Sequence, residues 1–229
     1  MRMVKKQGGF TLVEIAIVLV IVGLLLAGVL KGQELIENSR IKSIANEMKS
    51  VQAAYNGYVD RYKAIPGDEA AATMDARGWA ASTLAGGGNG NGVLLITPAQ
   101  TFTNGGEQRA FWRALRASGL FTGDPLGAAG AVGLPRHSGG GLIGIVSDPA
   151  GIYGRPGMAV CVSGLSTKQA AGIDTLVDGP LPATNIGNNI GDVRSATSAV
   201  NPTVPTAVVP AATAYNETTV TPWSLCMSI

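Results

Sequence analysis

The N-terminal segment constrains the fold more than any other part of the chain. Basic residues at Arg2, Lys5 and Lys6 precede the pair Gly8-Gly9, and an apolar run then extends from residue 10 to residue 30. An ordinary secretory signal is cut behind its apolar region, which is then discarded. A cut after the glycine pair would instead keep the apolar segment as the N-terminus of the mature chain. Such a segment is typical of a subunit that is first anchored in a membrane and later packed into an assembly.

The apolar run is long enough to cross a membrane. Residues 10–30 carry one charged side chain, that of Glu14. At about 1.5 Å per residue a helix of this length extends roughly 31 Å, which matches a hydrocarbon core of about 30 Å. Because the basic residues precede the run, the positive-inside tendency keeps the first nine residues in the cytoplasm and sends the rest outward. We therefore expect a single-pass precursor whose bulk is extracytoplasmic.

The residues around the glycine pair resemble a known processing signal. The sequence Gly9-Phe10-Thr11-Leu12-Val13-Glu14-Ile15, between the basic leader and the apolar run, is similar to the class III signal of type IV pilins and type II secretion pseudopilins. The resemblance implies cleavage after Gly9 by a prepilin peptidase, methylation of the new amine on Phe10, and a role in assembly for Phe10 and Glu14. It implies a structural, non-enzymatic subunit of a type IV pilus or related helical filament.

The resemblance also implies partners and a location. The expected partners are copies of this chain and other pilins, the prepilin peptidase and methyltransferase, the inner membrane and assembly platform proteins. The expected location is the bacterial inner membrane for the precursor, and then a periplasm-spanning or cell-surface filament. Two alternatives stay open, namely a type II secretion pseudopilin acting in protein export and a membrane-anchored adhesive or binding protein that never polymerises.

Glu14 is the charged residue in this apolar helix and has two interpretations. A carboxylate in the membrane costs about 2.5 to 3.5 kcal/mol and usually has a partner. In one interpretation Glu14 lies near the membrane surface and its side chain reaches water. In the other, cleavage creates a cationic amine at Phe10, and in a fibre of staggered helices that amine meets Glu14 of the neighbouring subunit. The resemblance favours the second interpretation.

The helix is predicted to continue beyond the membrane. Apolar residues recur at spacings of three and four in a charged background, which indicates one apolar stripe made of Ile41, Ile44, Met48, Val51, Tyr55, Tyr58 and Tyr62. Pro66 predicts an end of the helix a few residues earlier. The stripe must be buried, most simply against a sheet of the same chain. A coiled-coil dimer is the alternative, although two heptads are short for one.

Glycine, alanine, threonine and short apolar runs replace the stripe from residue 66 onward. This composition predicts a small sheet with long loops. The predicted strands are Val93–Ile96, Leu142–Val146 and Met158–Val162, and the predicted helices lie within Gln108–Ser118 and Leu165–Val177. Residues 195–222, rich in Ala, Thr, Val and Pro, are expected to hold little regular structure.

The predicted fold class is α+β, with a long N-terminal helix packed on a small antiparallel sheet that forms a pilin-like head. We expect a leader at 1–9, a transmembrane or filament-core helix at 10–30, its amphipathic continuation at 31–63 and a globular head at 64–229. Three blocks resemble, in this order, the heads of many pilin-like proteins: Ile65-Pro66-Gly67-Asp68, Gly90-Asn91-Gly92 and Phe111-Trp112-Arg113-Ala114-Leu115.

The two cysteines, Cys161 and Cys226, favour a disulfide because their number is even and the chain is exported. Closing a loop of about 65 residues would stabilise the head by roughly 4 kcal/mol on the chain-entropy model. The bridge would also hold the C-terminal segment against the sheet. The alternative is a pair of buried free thiols.

The sequence offers little support for an enzyme or a metal site. His137 is the only histidine, which excludes triads and metal sites that need several, and its neighbours predict a solvated surface loop. The glycine-asparagine run at 88–92 contains no carboxylate, so a turn is expected there and not a calcium site. Asp174, Asp178 and Asp192 are the remaining calcium candidates, although no spacing demands it. We expect no cofactor.

Charge and modification patterns give no further function. Without Arg2, Lys5 and Lys6, the 17 basic residues become 14 against 15 acidic ones, so no basic surface for nucleic acid is predicted. The sequence Asn216-Glu217-Thr218 matches the N-glycosylation pattern, but the leader resembles a bacterial one, so modification is left open.

Overall fold

The computed structural model describes residues 9, 11–79, 88–103, 105–125, 133–180, 191–197, 205, 215 and 222–229. The chain divides into two compact units, Met1–Ser39 and Arg40–Ile229. The helices of the described part are α1 (Leu12–Tyr62), α2 (Ala71–Ala76), α3 (Gly106–Ala117) and α4 (Thr167–Asp178), with a 3-10 turn at Pro98–Gln100. The strands are β1 (Ile143–Ile152), β2 (Arg155–Leu165), β3 (Val193–Thr197) and β4 (Trp223–Ser228). This architecture confirms the α+β prediction.

The first unit contains the N-terminal part of α1, which is apolar and exposed. Every residue from Leu12 to Lys31 is exposed to solvent. Most of its side chains are branched and apolar, and no described residue of this unit is buried. A helix that is apolar on all sides needs an apolar environment or other helices around it.

The second unit buries the apolar stripe of α1. Ile44, Met48, Val51 and Tyr58 are completely buried, and they belong to one hydrophobic core with residues of α3, α4 and the sheet. The stripe is therefore covered within the chain, as the sequence predicts for packing against its own head. α1 ends at Tyr62 because the next residue, Lys63, adopts a φ of 54° and donates its N–H to the carbonyl of Val59.

The sheet has four antiparallel strands in the order β1-β2-β4-β3. A two-residue turn at Tyr153-Gly154 joins β1 to β2, and both residues have positive φ, which suits a tight hairpin. β4 lies between β2 and β3, so the two central strands are β2 and β4. Two predicted strands, Leu142–Val146 and Met158–Val162, fall almost entirely within this hairpin.

Two sequence predictions about strands are wrong. Val93–Ile96 is not a strand, because it contributes only a single bridge between Ile96 and Ser147 of β1. The segment expected to lack regular structure, residues 195–222, includes the end of β3, which pairs with β4 from Val193↔Met227 to Thr197↔Trp223. Apart from residues 205, 215 and 222, the remainder of that segment lies outside the described residues.

Candidate assembly site

The predicted processing site lies just before α1. Gly9 is exposed and outside the helix, Phe10 lies outside the described residues, and the helix begins at Leu12. In the described part of the chain, α1 is the one helix long and apolar enough to cross a membrane, and the apolar window that qualifies it is not buried. The junction between Gly9 and Phe10 therefore precedes a helix whose apolar surface is exposed.

Glu14 makes its contacts within its own chain at the start of α1. The backbone N–H and the hydroxyl of Thr11 both donate to Oε2 of Glu14 at 2.8 Å, and the N–H of Glu14 donates to the Thr11 hydroxyl at 3.3 Å. This reciprocal arrangement is a capping box, which satisfies donors that the first turn of a helix leaves free. The partner predicted for Glu14 is the Phe10 amine of a neighbouring subunit, which stays a prediction, and within the single chain the carboxylate is bonded to Thr11.

The three blocks that resemble pilin heads meet in space. The carbonyl oxygen of Asp68 accepts the N–H of Gly90 at 2.6 Å, and its carboxylate accepts the N–H of Gly92 at 2.7 Å. Gly67 packs so closely on α3 that a Cβ there would lie 2.8 Å from the nitrogen of Phe111. Residues distant in the sequence thus form one corner of the head beneath the end of α1.

A second polar network fixes the same corner. The hydroxyl of Tyr58 in α1 donates to the carboxylate of Glu69, and a guanidinium nitrogen of Arg77 lies 2.6 Å from the same carboxylate. The Arg77 guanidinium stacks on the rings of Tyr62 and Trp79, with centroid distances of 4.5 and 5.4 Å. Burial, and next the Glu69 carboxylate, raise the pKa of Tyr58, so the phenol stays protonated and acts as donor. Sequence periodicity places Tyr58 in the core but gives no signal for its two charged partners.

Cys161 and Cys226 form a disulfide between the two central strands. They are directly opposite each other in the β2–β4 register, with their Cα atoms 4.0 Å apart, and both are buried. The two cysteines are separated by 65 residues in sequence. The disulfide that the sequence predicts is therefore present, and it holds β4 in the middle of the sheet.

The prediction that His137 is a solvated loop residue is wrong. His137 is only 3% exposed. Its Nε2 lies 2.8 Å from the carbonyl oxygen of Ser163 in β2, and its Nδ1 accepts the N–H of Gly139 at 3.0 Å. The turn composition around it correctly indicates a loop, but the packing of that loop on α1 and β2 buries the ring.

The three aspartates considered for calcium have different partners. Asp174 is completely buried on α4 and accepts the hydroxyl of Tyr215 at 2.6 Å. Asp178 accepts the N–H groups of Asp192 and Val193, and the Asp192 carboxylate pairs with Arg155 at 2.7 Å. In the described part of the chain, no three His, Cys, Asp or Glu residues are grouped as a metal site would need. The Asp178 carboxylate thus joins the end of α4 to the start of β3, and the Asp192 carboxylate joins the start of β3 to β2.

Burial gives Asp174 unusual acid-base behaviour. Loss of solvent raises the pKa of its carboxyl group to about 6, and the nearby Asp178 charge adds to this increase, while the Tyr215 hydrogen bond opposes it. Ser195 of β3 shares the Tyr215 hydroxyl at 3.0 Å, so the tyrosine bridges α4 and β3. The sequence contains no periodic signal for this contact, because Tyr215 lies in a segment without a recognisable element.

Comparison with known proteins identifies the N-terminal segment. Residues 4–30 match the sequence family described as a prokaryotic N-terminal methylation motif. This is the class III prepilin signal of type IV pilins and pseudopilins, so the resemblance drawn from the residues around Gly9 is confirmed. The signal implies processing by a prepilin peptidase and assembly into filaments, and together with the apolar helix it indicates membrane anchoring. It marks a pilin-like structural subunit.

The matched segment covers the leader and the apolar part of α1 but none of the head. No curated protein and no solved structure matches the chain significantly.

Proposed function

We propose that this chain, which carries a class III prepilin signal, is a structural subunit of a type IV pilus or a closely related helical filament. The observation that carries the proposal is the combination of the matched signal at residues 4–30 with an α1 whose apolar surface is exposed along its first five turns. In water this surface would be unfavourable at about 25 cal/mol per Å² of apolar area. A membrane first, and the helices of neighbouring subunits later, remove it from water.

Successive segments of the chain serve processing, assembly and the surface of the filament. The leader at 1–9 is removed after Gly9, and the amine of Phe10 is methylated by the prepilin peptidase and methyltransferase. Residues 10–30 then anchor the subunit in the inner membrane and later pack in the filament core. Residues 31–63 continue the helix into the head, and residues 64–229 form the surface of the filament. Assembly platform proteins and other pilins are the remaining partners.

Glu14 has a role in joining neighbouring subunits in this proposal. In the single chain its carboxylate caps α1 through Thr11, which lowers the cost of carrying a charge into the membrane. A carboxylate has about four lone-pair sites, so these two bonds leave acceptor capacity for a cation. The amine of Phe10 in an adjacent subunit supplies that cation after cleavage. An unprocessed chain lacks this amine and stays out of the filament.

The processing signal is common to two kinds of filament, so the destination needs a direct test. The experiment is mass spectrometry of the N-terminus of material sheared from cells, with electron microscopy of the same sample. We expect N-methylated Phe10 on surface filaments. The same processed N-terminus found only in the cell envelope would indicate that the chain is a subunit of a secretion pseudopilus and not of a pilus.

The control for this experiment is a variant that cannot be processed, Gly9→Val, in which a branched side chain replaces the glycine at the cleavage site. We expect full-length protein with an intact Met1 in the membrane fraction and no filaments. Filaments that contain uncleaved Gly9→Val chains would overturn the proposed order of processing and assembly. Wild-type protein that remains uncleaved and unassembled would support a membrane-anchored binding protein instead.

A further inference from the structure

The loop that contains His137 is attached to the rest of the head by a small number of side-chain bonds. We call residues 136–141 the clasp loop. Its base is fixed by backbone bonds, since the N–H of Ile143 donates to Pro135 and the N–H of Ser163 donates to Leu142. The turn at its tip is held by backbone bonds from His137 to Gly141 and from Gly140 to His137. The tip is attached to β2 through the His137 ring and to α1 through Glu47, whose carboxylate accepts the N–H of Ser138 at 3.0 Å.

The hydrogen bonds of His137 require a neutral imidazole. The N–H of Gly139 points at Nδ1, so Nδ1 must be an acceptor. Nε2 then carries the hydrogen and donates to the carbonyl oxygen of Ser163. An imidazolium has donors on both nitrogens and would place an N–H of the ring against the N–H of Gly139. Protonation therefore breaks the hydrogen bond between Gly139 and the ring that packs the loop against α1 and β2.

The surroundings of His137 leave little room for a charged ring to adapt. A Cβ on Gly141 would lie 2.3 Å from Nε2, and a Cβ on Gly139 would lie 3.3 Å from Cδ1 of Ile44 in α1. The charged groups that face the ring are Glu47 on α1 and Arg136 on the loop itself. Ser163, which faces it from β2, is uncharged. The carboxylate of Glu47 already accepts hydrogen bonds from Ser138 and Ser43.

We propose that the position of the clasp loop depends on pH. The loop is closed on α1 and β2 while His137 is neutral, and it opens when the imidazole is protonated. This inference does not depend on the filament assignment. It concerns contacts within Arg40–Ile229, and it links the acidity of the surroundings to the exposure of Ile44 and Glu47 on α1.

The direction of the effect follows from the acid-base chemistry of the ring. Burial lowers the pKa of His137 below its ordinary value of 6.5, and the hydrogen bond to Ser163 and the charge of Glu47 only partly oppose this. The closed loop thus binds a proton less readily than the open loop. The stabilisation is complete above pH 6.5 and is lost as the pH falls below it. Between that value and the pKa of the closed state, the equilibrium constant for opening rises about tenfold per pH unit.

Hydrogen-deuterium exchange of the full-length protein in detergent micelles tests the proposal. Peptides covering the clasp loop are compared at pH 7.5 and pH 5.0 after correction for the intrinsic pH dependence of exchange. We expect the loop to lose protection at pH 5.0 while peptides from α3 keep theirs. Unchanged protection of the loop, or an equal loss in α3, would overturn the proposal, because the first shows no switch and the second shows general unfolding.

Three variants test whether His137 controls the opening of the loop, and not another group that titrates in the same pH range. His137→Asn keeps an acceptor for Gly139, since asparagine bonds the backbone N–H two residues on, but it does not titrate. We expect its loop protection to be the same at both pH values. Glu47→Gln should increase the opening at low pH, because loss of the charge that favours imidazolium in the closed loop lowers the closed-state pKa of His137 further and widens its difference from the open state. Asp174→Asn should leave the opening unchanged. Wild-type behaviour of both His137→Asn and Glu47→Gln would contradict the assignment to His137.

Discussion

Gly67 and Phe111 approach so closely that the backbone of α3 occupies the space that any side chain on residue 67 would need. An added Cβ would lie 2.8 Å from the nitrogen and 2.9 Å from the Cα of Phe111, and Gly67 also has a φ of 93°. Two of the blocks that resemble pilin heads, those that contain Gly67 and Phe111, therefore meet in one contact. The glycine is needed both for the turn at 65–68 and for the seating of α3 beside α1.

The first prediction tests this contact with Gly67→Ala. We expect the free energy of unfolding to fall by about 2 to 4 kcal/mol, because the variant combines strain at positive φ with an overlap that α3 must move to relieve. Gly78→Ala is the matched control, since Gly78 has a φ of 78° but open space around it. That variant should lose only about 1 kcal/mol. Urea unfolding followed by tryptophan fluorescence measures both, and equal losses would show that the contact with Phe111 is unimportant.

The second prediction concerns the buried carboxyl of Asp174. Its pKa of about 6 exceeds the ordinary 3.8, so the folded state holds the proton more tightly, and stability from this group declines as the pH rises from about 4 to 6. Asp174→Asn keeps an acceptor for Tyr215 and removes the charge. We expect the free energy of unfolding of the variant, compared with that of wild type, to be higher at pH 7 than at pH 4 by on the order of 2 kcal/mol. Thermal unfolding across this range is the measurement, and a parallel pair of curves would contradict the prediction.

The third prediction separates the two contacts of Glu14. Glu14→Gln preserves the hydrogen bonds that cap α1 but removes the charge that a neighbouring amine needs. We expect normal membrane insertion and normal cleavage after Gly9, but no incorporation into filaments, and Glu14→Ala should behave in the same way. Yields of sheared filaments from cells measure the effect.

The control for Glu14 is Thr11→Val, which removes the hydroxyl from the capping box and leaves the carboxylate free to pair. This variant should still assemble, with a loss of helix stability of about 1 kcal/mol. If Thr11→Val abolishes filaments while Glu14→Gln does not, the capping of α1 and not the intersubunit ion pair is what assembly requires.

The fourth prediction concerns the disulfide. Replacing Cys161 and Cys226 together by alanine should lower the free energy of unfolding by about 4 kcal/mol, because the bond closes a loop of 65 residues in the unfolded chain. Non-reducing gels of the wild type should show a faster band than reduced samples. The double variant should run at the reduced position under both conditions. Identical stability of the variant and wild type would show that the strands pair equally well without the bond.

The parts of the fold that depend on local pattern are predictable from the sequence. The stripe of α1, with Ile44, Met48 and Tyr58 buried, follows from a helical period that any packing partner would satisfy. The cleavage signal is likewise a run of adjacent residues. The helix containing Phe111 has an apolar face of the same kind, and its predicted bounds differ from the observed Gly106–Ala117 by at most two residues.

The parts that depend on contacts between distant residues are not predictable in this way. His137 is buried by Ser163 and by a loop held to Glu47, which lies 91 residues from Ser138 in the sequence. Its neighbours indicate only a turn. Val93–Ile96 has the composition of a strand, but β1 offers it a single bridge at Ser147, so the intrinsic preference has no partner strand to satisfy it.

The strand order has a consequence for how the head folds. β3 precedes β4 in the chain, yet within the described sheet it pairs only with β4. A chain that is available only as far as residue 197 holds β3 without the strand with which it pairs. The described sheet is therefore completed only when the C-terminal segment Trp223–Ser228 is available to pair with both β2 and β3.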